Sequence, residues 1–289
     1  MKTLQHFFYP GILSLVFLIS MAAIEGCNKY NGESNNTTTS VLLDSIISDE
    51  GAWPHMSIKY IYDNEERVIE ERISHDDTLK TRRTYEYQGS NIVPYKMDSY
   101  NGTSTSPVFV SSFLYNAAGQ KNYDSTYATP GSPYTGYMIA KLDYSVAGRI
   151  SVRQHQHPAN NYFNDTVFLN NGNIDSVKTN LYGNNTWVFG SFTNKLNVFK
   201  NLSISSCRFY SPTPGYPGLM FTGYSYQTVQ DIILEYNNVN HFGVFTLTGS
   251  LASTQYEYQY NSSNLPVTLK KTTTAPGYLW VTQMRFVYK

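Results

Sequence analysis

The feature that most constrains this chain is a short unit that recurs along it. An aromatic residue is followed four positions later by glycine or asparagine, with small polar residues between. LDYSVAGRI (Leu142–Ile150), FLYNAAGQK (Phe113–Lys121), YIYDNEERV (Tyr60–Val68) and YQYNSSNLP (Tyr258–Pro266) are examples. The opening aromatics are Tyr62, Tyr87, Tyr115, Tyr144, Phe168, Tyr236 and Tyr260. Their partners are Glu66, Asn91, Gly119, Gly148, Gly172, Asn240 and Asn264. Glycine and asparagine most readily take positive φ. Apolar residues alternate with polar ones before each unit, as in Ile58, Tyr60 and Tyr62. Alternation that ends in a left-handed residue predicts two strands joined by a type I turn with a G1 bulge. Glu66 departs from the pattern, and the spacing gives no physical reason for it.

The anchors are 25, 28, 29 and 24 residues apart, then 68, then 24. A weaker unit at Phe192–Leu196 divides the long gap into 24 and 44. The excess fits an inserted loop around SPTPGYPG (Ser211–Gly218), whose prolines are incompatible with central strands. A unit of about 25 residues holds two strands and two turns. The expected fold is therefore all-β: a large antiparallel meander of about eight hairpin repeats, some sixteen strands, with Leu42–Ile47 at its start and a terminal strand at Trp280–Tyr288. A sheet of that size must close or curve strongly to bury a face and protect its edges, so a barrel-like sheet is expected. The high tyrosine content, 26 residues, suits pleated surfaces.

The N-terminus reads as an export signal: Lys2, then an apolar run from Ile12 to Ile24, short for a membrane span. It ends at Ile24-Glu25-Gly26-Cys27, which resembles the lipobox of bacterial lipoproteins, with Glu25 where a small or hydroxyl residue is usual. The resemblance implies lipidation of Cys27. The polar stretch Asn28–Ser40 reads as a flexible tether. The expected organisation is a signal peptide over 1–26, a tether over 27–40 and a single β domain over 41–289. The expected location is the cell envelope, lipid-anchored, on the outer membrane. With Cys27 lipidated, Cys207 has no disulfide partner and reads as a small buried side chain.

The tandem units resemble the YD repeats of Rhs-type shells. With the lipobox, they more closely resemble uncharacterised lipoproteins of Bacteroidota-type bacteria, whose domain of unknown function has a porin-like fold. The resemblance spans roughly Val41 to Lys289 and is carried by Tyr144, Gly148 and Arg149 and by Tyr62, Asp63 and Arg67. It implies a fold but no activity and no catalytic residues. Asp-Ser/Thr-apolar triplets at Asp44, Asp77, Asp165 and Asp175 resemble an O-glycosylation sequon of such bacteria, or else finish turns.

No catalytic residues and no cofactor emerge. His155-Gln156-His157 places two imidazoles on one strand face without an evident third metal ligand, so no metal is expected. Glu65-Glu66, Glu70-Glu71 and Asp76-Asp77 are adjacent, hence oppositely directed on strands and unsuited as acid/base pairs. Balanced charge, 21 basic against 21 acidic residues, argues against nucleic acid. The expected partners are the membrane, through the anchor, and a glycan or envelope protein. Candidate ligand-binding aromatics are Tyr134 and Tyr216 in Pro-flanked loops, with Trp53, Trp187 and Trp280. The expected role is binding or structural. The alternatives are a polysaccharide-acting enzyme and a membrane-embedded porin, which would need a continuous apolar outer band.

Overall fold

A computed structural model describes residues 41–50, 56–133, 135–157, 161–170, 173–179, 186–196, 199, 202–204, 207, 237–246 and 249–289. The first strands are β1 (Leu43–Glu50), β2 (Met56–Tyr62), β3 (Val68–His75), β4 (Thr78–Tyr87), β5 (Pro94–Asn101) and β6 (Phe109–Tyr115). Next come β7 (Lys121–Ala128), β8 (Tyr137–Val146), β9 (Arg149–His157), β10 (Asn161–Asn170) and β11 (Asn173–Thr179). The last are β12 (Thr186–Leu196), β13 (Asn237–Thr246), β14 (Gly249–Tyr260), β15 (Pro266–Ala275) and β16 (Tyr278–Tyr288). Among the described residues, every strand pairs antiparallel with its neighbours in sequence, and β1 pairs with β16, closing a barrel of sixteen strands. The all-β meander expected from the repeat is therefore the fold, and it closes.

The repeated turns lie at one end of this barrel, together with Leu42 and Lys289. In the first, Asp63 N donates to Arg67 O at 3.0 Å and Glu66 N to Asp63 O at 3.2 Å. Asn116–Gln120 and Asn261–Leu265 form the same pair of bonds. The residue after the tyrosine shapes the loop: Asp63 Oδ1 accepts from Glu65 N and Arg67 N at 3.0 and 2.9 Å. Asn116 and Asn261 accept in the same way. Such Asx bonds hold a turn without help from the rest of the fold. Gly119 and Gly148 sit at φ 75° and 72°, and Asn264 at 61°.

Glu66, the apparent exception, takes the same left-handed conformation, at φ 61°. The strain of an ordinary side chain is accepted there. Replacing it with glycine, Glu66→Gly, should raise stability by about 1 kcal/mol, read from the urea midpoint. An unchanged or lower midpoint would mean that the side chain's own contacts outweigh the backbone strain.

Three expected units differ from the structure. After Tyr87 the left-handed residue is Gly89, at φ 56°, rather than Asn91. Asn240 lies within β13 and Phe192–Leu196 within β12, so neither marks a turn. Aromatic spacing matched there, and Asn237 even follows Tyr236, but Asn237 opens β13 instead of closing a loop. Gly172 lies outside the described residues.

The tyrosine of the unit has its own task. Tyr62 OH donates to Leu43 O at 2.6 Å, Tyr87 OH to Val68 O at 2.7 Å and Tyr115 OH to Pro94 O at 2.8 Å. Tyr144 OH reaches Lys121 O at 3.0 Å, and Tyr288 OH reaches Pro266 O at 2.7 Å. In each case a tyrosine at or near the end of an even-numbered strand ties down the first residue of the strand before it. Burial pushes the hydroxyls of Tyr62, Tyr87 and Tyr288 above the usual phenol range, so they remain donors.

Candidate functional site

Membrane barrels of about this strand number enclose water. Here the inner wall is packed. Ile58, Ile73, Met97, Ala140, Val152, Val167, Val177 and Met284, on eight different strands, are all buried. The connection between β12 and β13 contributes to the filling: Phe199, Leu202, Ile204 and Cys207 are buried in the same cluster. Phe199 meets Phe286 edge-on, with ring centroids 6.2 Å apart. Ser203 Oγ accepts from Val68 N at 2.9 Å and lies 2.8 Å from Tyr87 Oη. The Tyr87 proton is directed to Val68 O, so Ser203 donates in that second bond. The connection thus docks against the same tyrosine-tied end.

Two ion pairs lie inside. Arg83, 1 % exposed, meets Glu71 at 3.3 Å, and Tyr85 OH donates to the same carboxylate at 3.0 Å. Lys121, 1 % exposed, donates to Asp124 Oδ2 at 2.9 Å and to Cys207 O at 2.7 Å. Cys207 is a buried thiol that donates to Ile204 O. Of the adjacent carboxylates, Glu70 pairs with Arg72 while Glu71 turns inward, as alternation requires; Asp76 and Asp77 form a left-handed turn.

The outer wall carries charge at many points around the barrel. Lys59 pairs with Asp44 at 3.6 Å, Lys96 with Glu86 and Asp98 at 2.6 and 3.1 Å, and Lys270 with Glu257 at 3.6 Å. Arg82 lies over the Tyr100 ring, 4.1 Å from its centroid. Lys141, Arg149 and Arg153 stand exposed on β8 and β9.

At the end of the barrel away from the repeated turns, this outer wall gathers aromatic rings. Ala140, Leu142, Ile150 and Val152 face inward. The intervening residues Tyr137, His155 and His157 therefore face outward. Tyr137 and His157 stack at 5.0 Å with planes 4° apart, and His155 and Tyr162 at 4.3 Å with planes 6° apart. Tyr127 lies 5.7 Å from Tyr137, and His155 meets Tyr137 edge-on at 5.6 Å. Tyr162 is 62 % exposed and Tyr127 46 %. Sequence reading placed the two imidazoles on one face but missed the tyrosines, which arrive from three other strands through the register. Among the described residues, no group of three or more His, Cys, Asp or Glu could hold a metal ion.

Of the residues singled out in the sequence, His155 and His157 lie in this strip. Cys27, Trp53, Tyr134 and Tyr216 lie outside the described residues. Trp187 sits in β12, opposite Val177 and Val244, and Trp280 in β16, opposite Thr273. Of the sequon-like hydroxyls, Ser45 is buried and Thr78 exposed.

A porin-like protein from Bacteroides vulgatus has the same architecture: TM-score 0.52 at 11% identity, over 86% of this chain and 99% of that one. The fold is porin-like. A second porin-like protein, from Bacteroides uniformis, matches at TM-score 0.51 and 10% identity, over 86% of this chain and 98% of that one. At such identity the likeness establishes the porin-like fold alone. No protein-family model and no curated protein matches the sequence.

Proposed function

We propose that the chain is an exported envelope lipoprotein whose porin-like barrel is a water-surrounded binding or structural module and not a pore. The carrying observation is the inversion of porin chemistry: charge on the outer wall and packed side chains within. A lysine or arginine facing lipid at the bilayer midplane costs about 2–4 kcal/mol. Ion pairs such as Lys96 with Glu86 and Asp98 sit on the wall that an embedded barrel would bury in hydrocarbon. The lipobox-like segment ending at Cys27 supports attachment by lipid, and the polar stretch after it supports a tether. The outward aromatic strip, with polar and basic neighbours, supports a glycan as the bound partner.

The chain begun at Val41 should stay in solution without detergent, and the purified protein should give no discrete conductance steps in planar bilayers. Detergent-dependent solubility together with stable channel steps would overturn the reading. Cys27→Ser should abolish incorporation of a labelled fatty acid.

A further inference from the structure

A specific ligand chemistry emerges from the row beside the aromatic strip. Across the outer wall, Tyr123 on β7 faces Lys141 on β8, Lys141 faces Arg153 on β9, and Arg153 faces Asn164 on β10. Like charges directly opposite one another on a sheet face destabilise it. Lys141 and Arg153 nevertheless stand opposite, exposed, and form no ion pair with any described residue. The carboxylate in their neighbourhood is Asp143, on the same face of β8. It is held below the usual carboxylate range first by the Ser145 backbone N–H, then by Arg153 and Arg149. One acid against Lys141, Arg149 and Arg153 leaves a local excess of positive charge on a chain that is neutral as a whole.

The next rows outward are Ser125, Ile139, His155 and Tyr162, then Tyr127, Tyr137 and His157. Cations, a planar amide and exposed rings thus share one patch within a few strand widths. Resting on the water-surrounded reading above, we infer that the outer wall of β7–β10 binds an acidic saccharide. Its carboxylate or sulfate lies between Lys141 and Arg153, its hydroxyls reach Asn164, and its C–H faces pack against the exposed rings of Tyr162 and Tyr127. An anion between the two cations removes the repulsion that the bare surface carries, so the affinity gained comes partly from relieving it. A nucleic acid is the less suited polyanion, because its affinity is built on many phosphate contacts and this patch offers few cations.

The test is calorimetric titration of the full-length protein, in mild detergent at low salt. The probes are oligogalacturonate, a sulfated galactan oligomer, a neutral galactan oligomer and oligothymidylate. One or both acidic saccharides should bind, the neutral oligomer should bind at least about tenfold more weakly, and the preferred acid identifies carboxylate or sulfate as the recognised group. Arg153→Gln and Tyr162→Ala should each weaken acidic binding roughly tenfold, and only Arg153→Gln should flatten its salt dependence. Both side chains are exposed, so unchanged thermal melting checks the fold. Tighter binding of oligothymidylate, equal binding of the neutral oligomer, no acidic binding, or unaltered affinity in both variants would overturn the assignment. A channel in bilayers would instead overturn the reading beneath it, so the two failures are distinguishable.

Discussion

Glu71→Leu should lower the unfolding free energy by about 3–5 kcal/mol, the typical consequence of stranding a buried charge. Arg83 is 1 % exposed and meets Glu71 at 3.3 Å inside the barrel. Tyr85 OH, a donor to the same carboxylate, loses its acceptor as well. The guanidinium cannot shed its proton, so it must stay charged without its carboxylate or draw water into the wall. Removing both charges, with Glu71→Leu and Arg83→Met together, should recover most of the loss, because the desolvation of two ions then disappears along with their attraction. Urea unfolding of the single and double variants measures this. A single-variant loss below about 1 kcal/mol would mean that the pair is solvated and the inner wall open.

The second large effect depends on pH. Lys271, on β15 opposite Tyr256, is buried, and burial lowers its pKa to about 7. In the unfolded chain it titrates near the ordinary value of about 10.5. Between these values the unfolded state binds more protons than the folded one, so stability rises with pH. The penalty for folding around a charged Lys271 is fully present below about pH 7 and shrinks as pH rises above it. The window closes near pH 10, where Tyr256, held neutral by burial, begins to favour the unfolded state in which it can ionise. From pH 7 to pH 10 the contribution is about 3–4 kcal/mol. Lys271→Met should flatten that rise and stabilise the protein most at pH 7. Parallel stability-against-pH curves for the parent and the variant would show instead that Lys271 is solvated in the folded state.

The barrel was legible because its instructions are local. Tyr62-Asp63, Tyr115-Asn116 and Tyr260-Asn261 each carry a side chain that closes its own turn, and alternation does the rest. Glu66 was opaque because a residue type reports preference, while the loop's hydrogen bonds dictate conformation. Phe192 and Asn240 misled because the spacing, and at Asn237 even the Asx residue, also occurs within strands. The filling of the barrel was hidden: Ser203 meets Val68 and Tyr87 more than 100 residues away in sequence, with |i−j| of 135 and 116. The aromatic strip was hidden for a related reason. His155 and His157 share a face by alternation, but Tyr162, Tyr137 and Tyr127 join them only through the registers of β7 to β10. Register is a property of strand pairs, and a single strand does not display it.

At the junction of β1 and β16 the paired strands come from opposite ends of the β domain's sequence. Leu42 N donates to Lys289 O at 3.2 Å and Lys289 N to Leu42 O at 2.9 Å, and Leu43 faces Tyr288. This seam joins the two ends of the β domain, so it cannot form until β1 and β16 are both available to pair. Until then each is a raw edge, able to recruit a foreign strand. Seam closure carries the largest loop-closure entropy in the molecule and belongs late in folding. Hairpins such as β2–β3, β6–β7 and β14–β15 can zip behind their self-closing turns. A barrel short of its seam is therefore a curved sheet with two exposed edges, and pairing β1 with β16 removes both together.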